Sequence, residues 1–156
     1  SDVAWPALTV REPLSVSSDQ ASLEAAPAER TLLSYELEHP HPLIGRQQAE
    51  FTEGDDFGSA LAPARTFATD EEIRALYGTD PTPEMEQMCL VVYPQRLSEE
   101  PAVPQPFARH KLVDLLGDLF LCGQIVQGRI TARRSGHGLN HALARELAAA
   151  GGPGQS

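Results

Sequence analysis

The chain has 156 residues, 41% of them hydrophobic, and a formal net charge of −10 at pH 7 from 22 acidic and 12 basic side chains. This size and apolar fraction are typical of one globular domain with a hydrophobic core, and they exclude a chain that is disordered throughout. The acidic balance argues against a nucleic-acid binder, and the absence of any apolar run near the roughly 20 residues of a bilayer span argues against a transmembrane protein.

The first third of the chain is predicted to form β-strands. Alternating apolar residues indicate two short strands, at 8–10 and 14–16, on either side of Pro13. The clearest strand is Leu32–Glu38, where apolar and polar side chains alternate. After the proline-rich turn HPHPLIG, residues 47–52 are expected to return as an antiparallel partner.

A short helix is predicted after an irregular stretch that ends near residue 68. Thr69 and Glu72 have the spacing of a capping box, in which each side chain bonds the other residue's backbone N–H. Gly78 can end the helix in the left-handed conformation. The side chains expected to give this helix an apolar face are Ile73, Leu76 and Tyr77.

Two longer helices and two strands are predicted in the last part of the chain. Cys89–Tyr93 has the composition of a buried strand, and an extended proline-rich connector follows it. We expect a helix at about Phe107–Cys122, a strand at Gly128–Arg134 and a helix at Asn140–Ala150. The turn-rich segment between Gly78 and the buried strand is expected to be a link.

These elements predict the α+β class: a two-layer sandwich whose antiparallel-rich sheet is covered on one face by helices. We expect one domain over residues 1–150, with a small inserted helix and strand segment at about 69–97 and a flexible tail at 151–156. Cys89 and Cys122 lie outside any metal-binding spacing, so both are expected to be buried thiols of a soluble, cytoplasmic protein. The start also lacks a basic segment followed by an apolar one.

The stretch FARHKLVDLLGDLF separates polar from apolar residues around a helix. His110, Asp114 and Asp118 follow one another at a spacing of four, with Gly117 among them and Lys111 at the edge. One interpretation is a solvated face with an ordinary His–Asp pair. The other is a metal pair, because His and Asp one turn apart can bind one ion, and a mid-helix glycine suggests close approach by another group. The opposite, apolar arc comprises Leu112, Val113, Leu115, Leu116, Leu119 and Phe120.

A second polar group follows in RRSGHGLNHAL. His137 lies between two glycines at the predicted start of a helix, and Asp118 is the acid that could oppose its charge. The competing interpretation is a simple turn in which Ser135 caps the helix. Arg133 and Arg134, together with Lys111, could hold a phosphate. In HPHPLIG, a structural turn is favoured over a metal site because prolines flank His41.

FARHKLVDLLGDL followed by SGHGLN resembles the C-terminal half of the UDP-3-O-acyl-N-acetylglucosamine deacetylases, the LpxC family of lipid A synthesis. YELEHPHPLIGRQQAEF is similar to that family's strand and HPxIGxQ turn, with two extra residues, and ARTF at Ala64–Phe67 is similar to its ARTF segment. The resemblance implies two similar α+β domains with zinc between them, or iron as the alternative metal, and a UDP-sugar substrate that carries an acyl chain.

The resemblance also implies roles for individual residues. His110 and Asp114 would be metal ligands, while Asp118 would orient His137, the acid that protonates the leaving amine. Thr66 would contribute to the oxyanion site, Phe67 would lie against the sugar, and Lys111 and Arg134 would meet the diphosphate.

Two departures from the family pattern bear on function. The first-domain segment that supplies the third ligand and the glutamate base is missing, and Glu38 with His39 is rejected as its substitute, so the chain alone should be inactive without a first domain in cis or in trans. The insertion, which is implied to wall the acyl-chain passage, is altered at Tyr77–Leu97. The alternative is therefore a non-catalytic module that binds a UDP-sugar or a protein.

Overall fold

A computed structural model describes residues 7–120 and 125–151 of the chain. The strands are β1 (Ala7–Thr9), β2 (Leu14–Ser17), β3 (Ser22–Ala26), β4 (Leu32–Glu38), β5 (Arg46–Thr52), β6 (Phe67–Thr69), β7 (Leu90–Val92), β8 (Ile125–Gln127) and β9 (Arg129–Arg133). The helices are α1 (Phe57–Ala60), α2 (Asp70–Tyr77), α3 (Pro83–Met88), α4 (Pro106–Phe120) and α5 (His137–Gly151).

The central feature is a five-stranded sheet in the order β2-β3-β9-β4-β5. Its neighbours pair antiparallel except β4 and β9, which run parallel. The register aligns Tyr35 with Ala49 on one side and with Ala132 on the other. Since side chains alternate along a strand, this register collects the apolar residues of all five strands on one face.

Helices α4 and α5 cover that apolar face and complete a two-layer sandwich. Helix α4 lies over β4 and β5, and α5 lies over β2 and β3. The other face is polar, with the Arg133 Nε atom 3.6 Å from Glu36 Oε2. The predicted α+β class, and a mainly antiparallel sheet with helices on one face, are therefore confirmed.

Most of the predicted strands are present with small changes of boundary. Leu32–Glu38 is confirmed without change, and the antiparallel return begins at Arg46. The first short strand pairs in parallel with β8 in a separate two-stranded sheet. Strand Ser22–Ala26 was missed, because its SLEAA sequence holds few of the β-branched and aromatic residues that mark strands.

The inserted segment differs most from expectation. The capping box of Thr69 and Glu72 is confirmed in both directions, and Gly78 ends α2 at a φ of 75°. Of the predicted apolar face, Ile73 is buried at 4% exposed, whereas Leu76 is 75% exposed and Tyr77 is 62% exposed. The expected link contains α3, which Thr82 caps through a hydrogen bond to the Met85 N–H at 3.2 Å.

The irregular stretch before β6 contains one short helix, α1.

Cys89 ends α3 rather than beginning a strand. It is only partly buried, although burial raises the pKa of its thiol. Cys122, Gly123 and the tail beyond Gly151 lie outside the described residues.

Helix α4 places its apolar arc on the sheet as predicted, with Leu112, Leu115 and Leu119 buried. Phe120 departs from the expectation at 40% exposed. The interpretation of Gly117 as a point of close approach is not supported within the described chain, because a Cβ atom at that position would meet nothing within 4 Å.

Within residues 7–120 and 125–151, no helix has the length and apolar character needed to cross a bilayer.

Candidate metal and substrate site

An open cavity of about 390 Å³ collects the predicted site residues. It lies where α4, the end of β4, the start of β6 and the turn before α5 meet. All the predicted site residues line it except Asp118, which lies behind His137. The structure therefore brings together side chains that are up to 71 positions apart, from Thr66 to His137.

The first pair of the site is on α4. His110 Nε2 lies 3.4 Å from Asp114 Oδ1, one helical turn apart, and their side chains are 16% and 27% exposed. Burial lowers the pKa of His110, and the charges of Lys111 and His137 act in the same direction, against the opposing effects of Asp114 and the Ala64 carbonyl. A neutral imidazole is the form that binds metals.

The chemistry of this pair fits two ligands of a zinc ion, an imidazole nitrogen and a carboxylate oxygen. His110 Nδ1 is buried with no hydrogen bond of ordinary geometry. The part of the chain that the structure describes contains no cluster of three or more His, Cys, Asp or Glu side chains suited to a metal. The pair alone therefore offers fewer than the three protein ligands that a catalytic zinc site usually has.

The second pair joins α4 to α5. Asp118 Oδ2 lies 2.5 Å from His137 Nδ1 and accepts a hydrogen bond from Asn140 Nδ2 at 2.9 Å. The Asp118 side chain is 10% exposed, whereas that of His137 is 65% exposed. Because a carboxylate only accepts hydrogen bonds, this contact places a proton on Nδ1 and leaves Nε2 for chemistry.

The turn before α5 is held by the core of the sheet. The hydroxyl of Tyr35 donates to the Ser135 carbonyl, and the Ser135 hydroxyl donates to Asn140 Oδ1 at 2.9 Å. Ser135 thus bonds a side chain inside α5, which differs from the simple N-cap of the competing interpretation. Arg134 has a φ of 55° and its N–H donates to the Glu36 carbonyl at 2.9 Å. This left-handed residue turns the chain from β9 toward the cavity.

A match to known proteins decides the family. The family model described as "LpxC: UDP-3-O-acyl N-acetylglycosamine deacetylase" matches residues 2–149. The chain belongs to the LpxC family. Proteins named UDP-3-O-acyl-N-acetylglucosamine deacetylase are similar to it: 32% identical over 144 residues in Synechocystis sp. and 34% over 148 residues in Aquifex aeolicus.

The chain spans about half the length of these LpxC relatives. The Synechocystis match covers 90% of this chain and 52% of the relative, and the Aquifex match covers 89% and 49%. A third relative of the same name, from Thermosynechococcus vestitus, is 34% identical and is covered over 50% of its length. The region shared with these relatives therefore has the length of one domain of an LpxC protein.

The substrate-side residues predicted from the LpxC resemblance lie beside the metal pair. The ring of Phe67 packs edge-on against Phe107, with centroids 4.7 Å apart, and lies 6.2 Å from the His110 ring. Lys111 Nζ lies 5.8 Å from the Phe67 centroid. Arg134 lines the cavity, but Arg133 does not, because it pairs with Glu36 on the outer face.

The sequence reasoning rejected Glu38 and His39 as metal ligand and base, and it missed other polar residues of the site. Glu38, His39 and Glu72 line the same cavity, and Asn140 and His141 surround Asp118, with His141 Nε2 3.3 Å from Asp118 Oδ1. Glu72 could not be recognised from the sequence as a site residue, because its role in the capping box already accounts for a glutamate at that position. Asn140 carried a signal, since a buried asparagine in a helix needs partners.

An apolar cleft of about 440 Å³ adjoins the polar cavity and shares Thr66, Phe67 and Glu72 with it. Apolar side chains of the insertion line this cleft. Leu76, Tyr77 and Met88 are exposed there, Met85 is partly buried, and Ile73 is buried.

Proposed function

We propose that this chain is the second domain of a zinc-dependent deacetylase acting on UDP-3-O-acyl-N-acetylglucosamine in lipid A synthesis. The observation that carries the proposal is the presence of two pairs, His110 with Asp114 and Asp118 with His137, at one cavity. The LpxC family match and the names of the relatives support the substrate and the reaction.

His110 and Asp114 would hold the metal, with the third ligand coming from a first domain. The bound zinc would polarise the amide carbonyl and acidify a water molecule, as it does in other zinc hydrolases. Iron is the alternative metal. The neutral state of His110 favours binding, since a protonated imidazole has no lone pair for an ion.

His137 would give its proton to the amine nitrogen that leaves when the amide is cleaved. Asp118 keeps Nδ1 protonated and fixes the ring, and in the imidazolium form Nε2 carries a second proton, which is the one transferred. The exposure of His137 allows it to meet a substrate, while its buried partner remains shielded. His137 therefore acts directly and Asp118 acts as a positioning residue.

The remaining residues of the cavity would bind the substrate. Thr66 would donate to the developing oxyanion, where a well-placed donor lowers the barrier by about 3 kcal/mol. Phe67 would pack against the sugar, and Lys111 with Arg134 would bind the diphosphate. The apolar cleft beside the cavity would take the acyl chain, because it is lined by apolar side chains of the insertion.

A non-catalytic binding module is the second candidate. The observation that favours it is the half-site itself: the described residues offer two ligands and no group of three. Such a module would keep the cavity for a UDP-sugar without performing the reaction.

The test is to measure zinc content and deacetylation with this chain alone and with the complementary half of the Aquifex aeolicus relative. Activity that appears only with the added half, together with bound zinc, supports the deacetylase. UDP-sugar binding without zinc in either preparation supports the binding module. Neither zinc nor UDP-sugar binding in the combined preparation would refute both candidates.

A further inference from the structure

The turn HPHPL uses its two imidazoles in the same way. His39 Nδ1 accepts the His41 N–H at 3.0 Å, and His41 Nδ1 accepts the Leu43 N–H at 3.1 Å. A proline follows each histidine and has no N–H, so the amide two residues on is the next one available. The predicted structural turn is therefore observed, with each ring contributing one nitrogen to it.

This hydrogen bond determines the tautomer of His39. A nitrogen that accepts an N–H carries no hydrogen, so the neutral ring must carry its proton on Nε2. Protonating Nδ1 would place two N–H groups against each other. Burial lowers the pKa of His39, and His41, Lys111 and Arg134 lower it further, while Glu72 raises it. The ring is thus a neutral donor at neutral pH.

The donor nitrogen belongs to the cavity of the proposed active site. His39 lines that cavity and its side chain is 24% exposed. Nε2 lies 3.9 Å from Glu72 Oε1, beyond hydrogen-bond distance. That oxygen already accepts the Thr69 N–H at 3.2 Å and the Thr69 hydroxyl at 2.9 Å. Glu72 therefore does not hold the His39 proton.

We propose that His39 is a substrate-binding residue that donates its Nε2–H to a neutral oxygen, a hydroxyl or a carbonyl, of the substrate's sugar portion. The nearby Glu72 carboxylate disfavours an anionic oxygen at this point. The tautomer set by the turn disfavours metal binding through Nε2, because the protonated nitrogen has no free lone pair. This inference rests on the proposed function, since it takes the cavity to be the substrate site.

Two substitutions distinguish the hydrogen bond that His39 Nδ1 accepts within the turn from the Nε2–H group that faces the cavity. In His39→Asn, the side-chain oxygen can still accept the His41 N–H, but no group reaches the cavity as Nε2–H does. In His39→Gln, the side-chain NH₂ group reaches toward the cavity and can replace the donor. The matched control is His41→Asn, which makes the same exchange in the imidazole that does not line this cavity.

Binding of UDP-3-O-acyl-N-acetylglucosamine is measured by calorimetry, and KM and kcat by deacetylation, with the chain supplemented by the complementary half. We expect about three- to tenfold weaker binding and a matching rise in KM for His39→Asn. The loss of affinity should be smaller for His39→Gln, and kcat should change little in both variants. His41→Asn should match the wild type.

Nitrogen NMR of ¹⁵N-histidine-labelled chain tests the tautomer separately. We expect His39 to show a bare Nδ1 and a protonated Nε2 at about pH 7.5. A protonated Nδ1, or His39→Asn binding as tightly as His41→Asn, would overturn this inference and leave the proposed function intact. A wild-type preparation that neither binds nor cleaves the substrate would overturn both.

Discussion

Replacing Tyr35 with Phe should lower the free energy of unfolding by about 1–3 kcal/mol, the cost of leaving a buried polar group unpaired. Tyr35 is 1% exposed, and its hydroxyl donates to the Ser135 carbonyl. The ring can keep its place between Ala49 and Ala132, so no cavity larger than one oxygen is created. The loss therefore reports the hydrogen bond that ties the sheet to the turn before α5.

The same substitution has a pH signature. Burial raises the pKa of Tyr35 to about 12, and the charge of Asp114 acts in the same direction. The folded state holds this proton more tightly than the unfolded chain, whose tyrosine titrates near 10. The stability from Tyr35 is thus complete below about pH 10 and declines as the pH rises toward 12. At about pH 11 the decline amounts to about 1.4 kcal/mol.

Urea unfolding followed by circular dichroism at about pH 8 and pH 11 measures both effects. The gap in stability between wild type and Tyr35→Phe should be present at the lower pH and should shrink by about 1.4 kcal/mol at the higher. Tyr77→Phe is the control, because Tyr77 is 62% exposed and should behave like the wild type. Equal stabilities at the lower pH, or a gap that does not change with pH, would refute the reasoning.

Three further substitutions test the site and the insertion. Asp114→Ala should abolish zinc binding by the complemented enzyme, since it removes half of the helical pair, and an unchanged zinc content would contradict the metal site. His137→Ala should slow deacetylation by roughly 10²–10⁴-fold with zinc retained, and normal turnover would exclude it as the acid. Thr69→Ala should cost about 1 kcal/mol of stability in urea unfolding, with the exposed Thr79→Ala as control; equal losses would remove the capping box as the cause.

Periodicity predicted the elements that bury one regular face. The alternation of Leu32–Glu38 and the leucine spacing of α4 identify buried faces, because burial repeats with the period of the element. The same rule failed for Leu76 and Tyr77, whose helix lies at the edge of a cleft instead of on the core. A short amphipathic helix does not reveal whether its apolar face meets the protein or a ligand.

The site was predictable in so far as it depends on one helix or on the family motifs. The His110 and Asp114 pair follows from a spacing of four residues, whereas the contact of Asp118 with His137 was implied by the resemblance. The position of His39 at the cavity was not accessible from the sequence. It depends on the return of the HPHPL turn toward α2, and no local pattern specifies that approach.

The arrangement of α4 explains how this chain alone positions several polar side chains of the candidate site. His110, Asp114 and Asp118 lie on one ridge, and each step of four residues rises about 6 Å along the helix. The first two face the cavity, while the third reaches α5 and orients His137. The buried leucines of the opposite ridge hold the helix against the sheet. Under the proposed function, helix geometry within this chain would set the distance between the metal-binding pair and the residue that orients the acid, and a first domain would add the remaining ligand and the base.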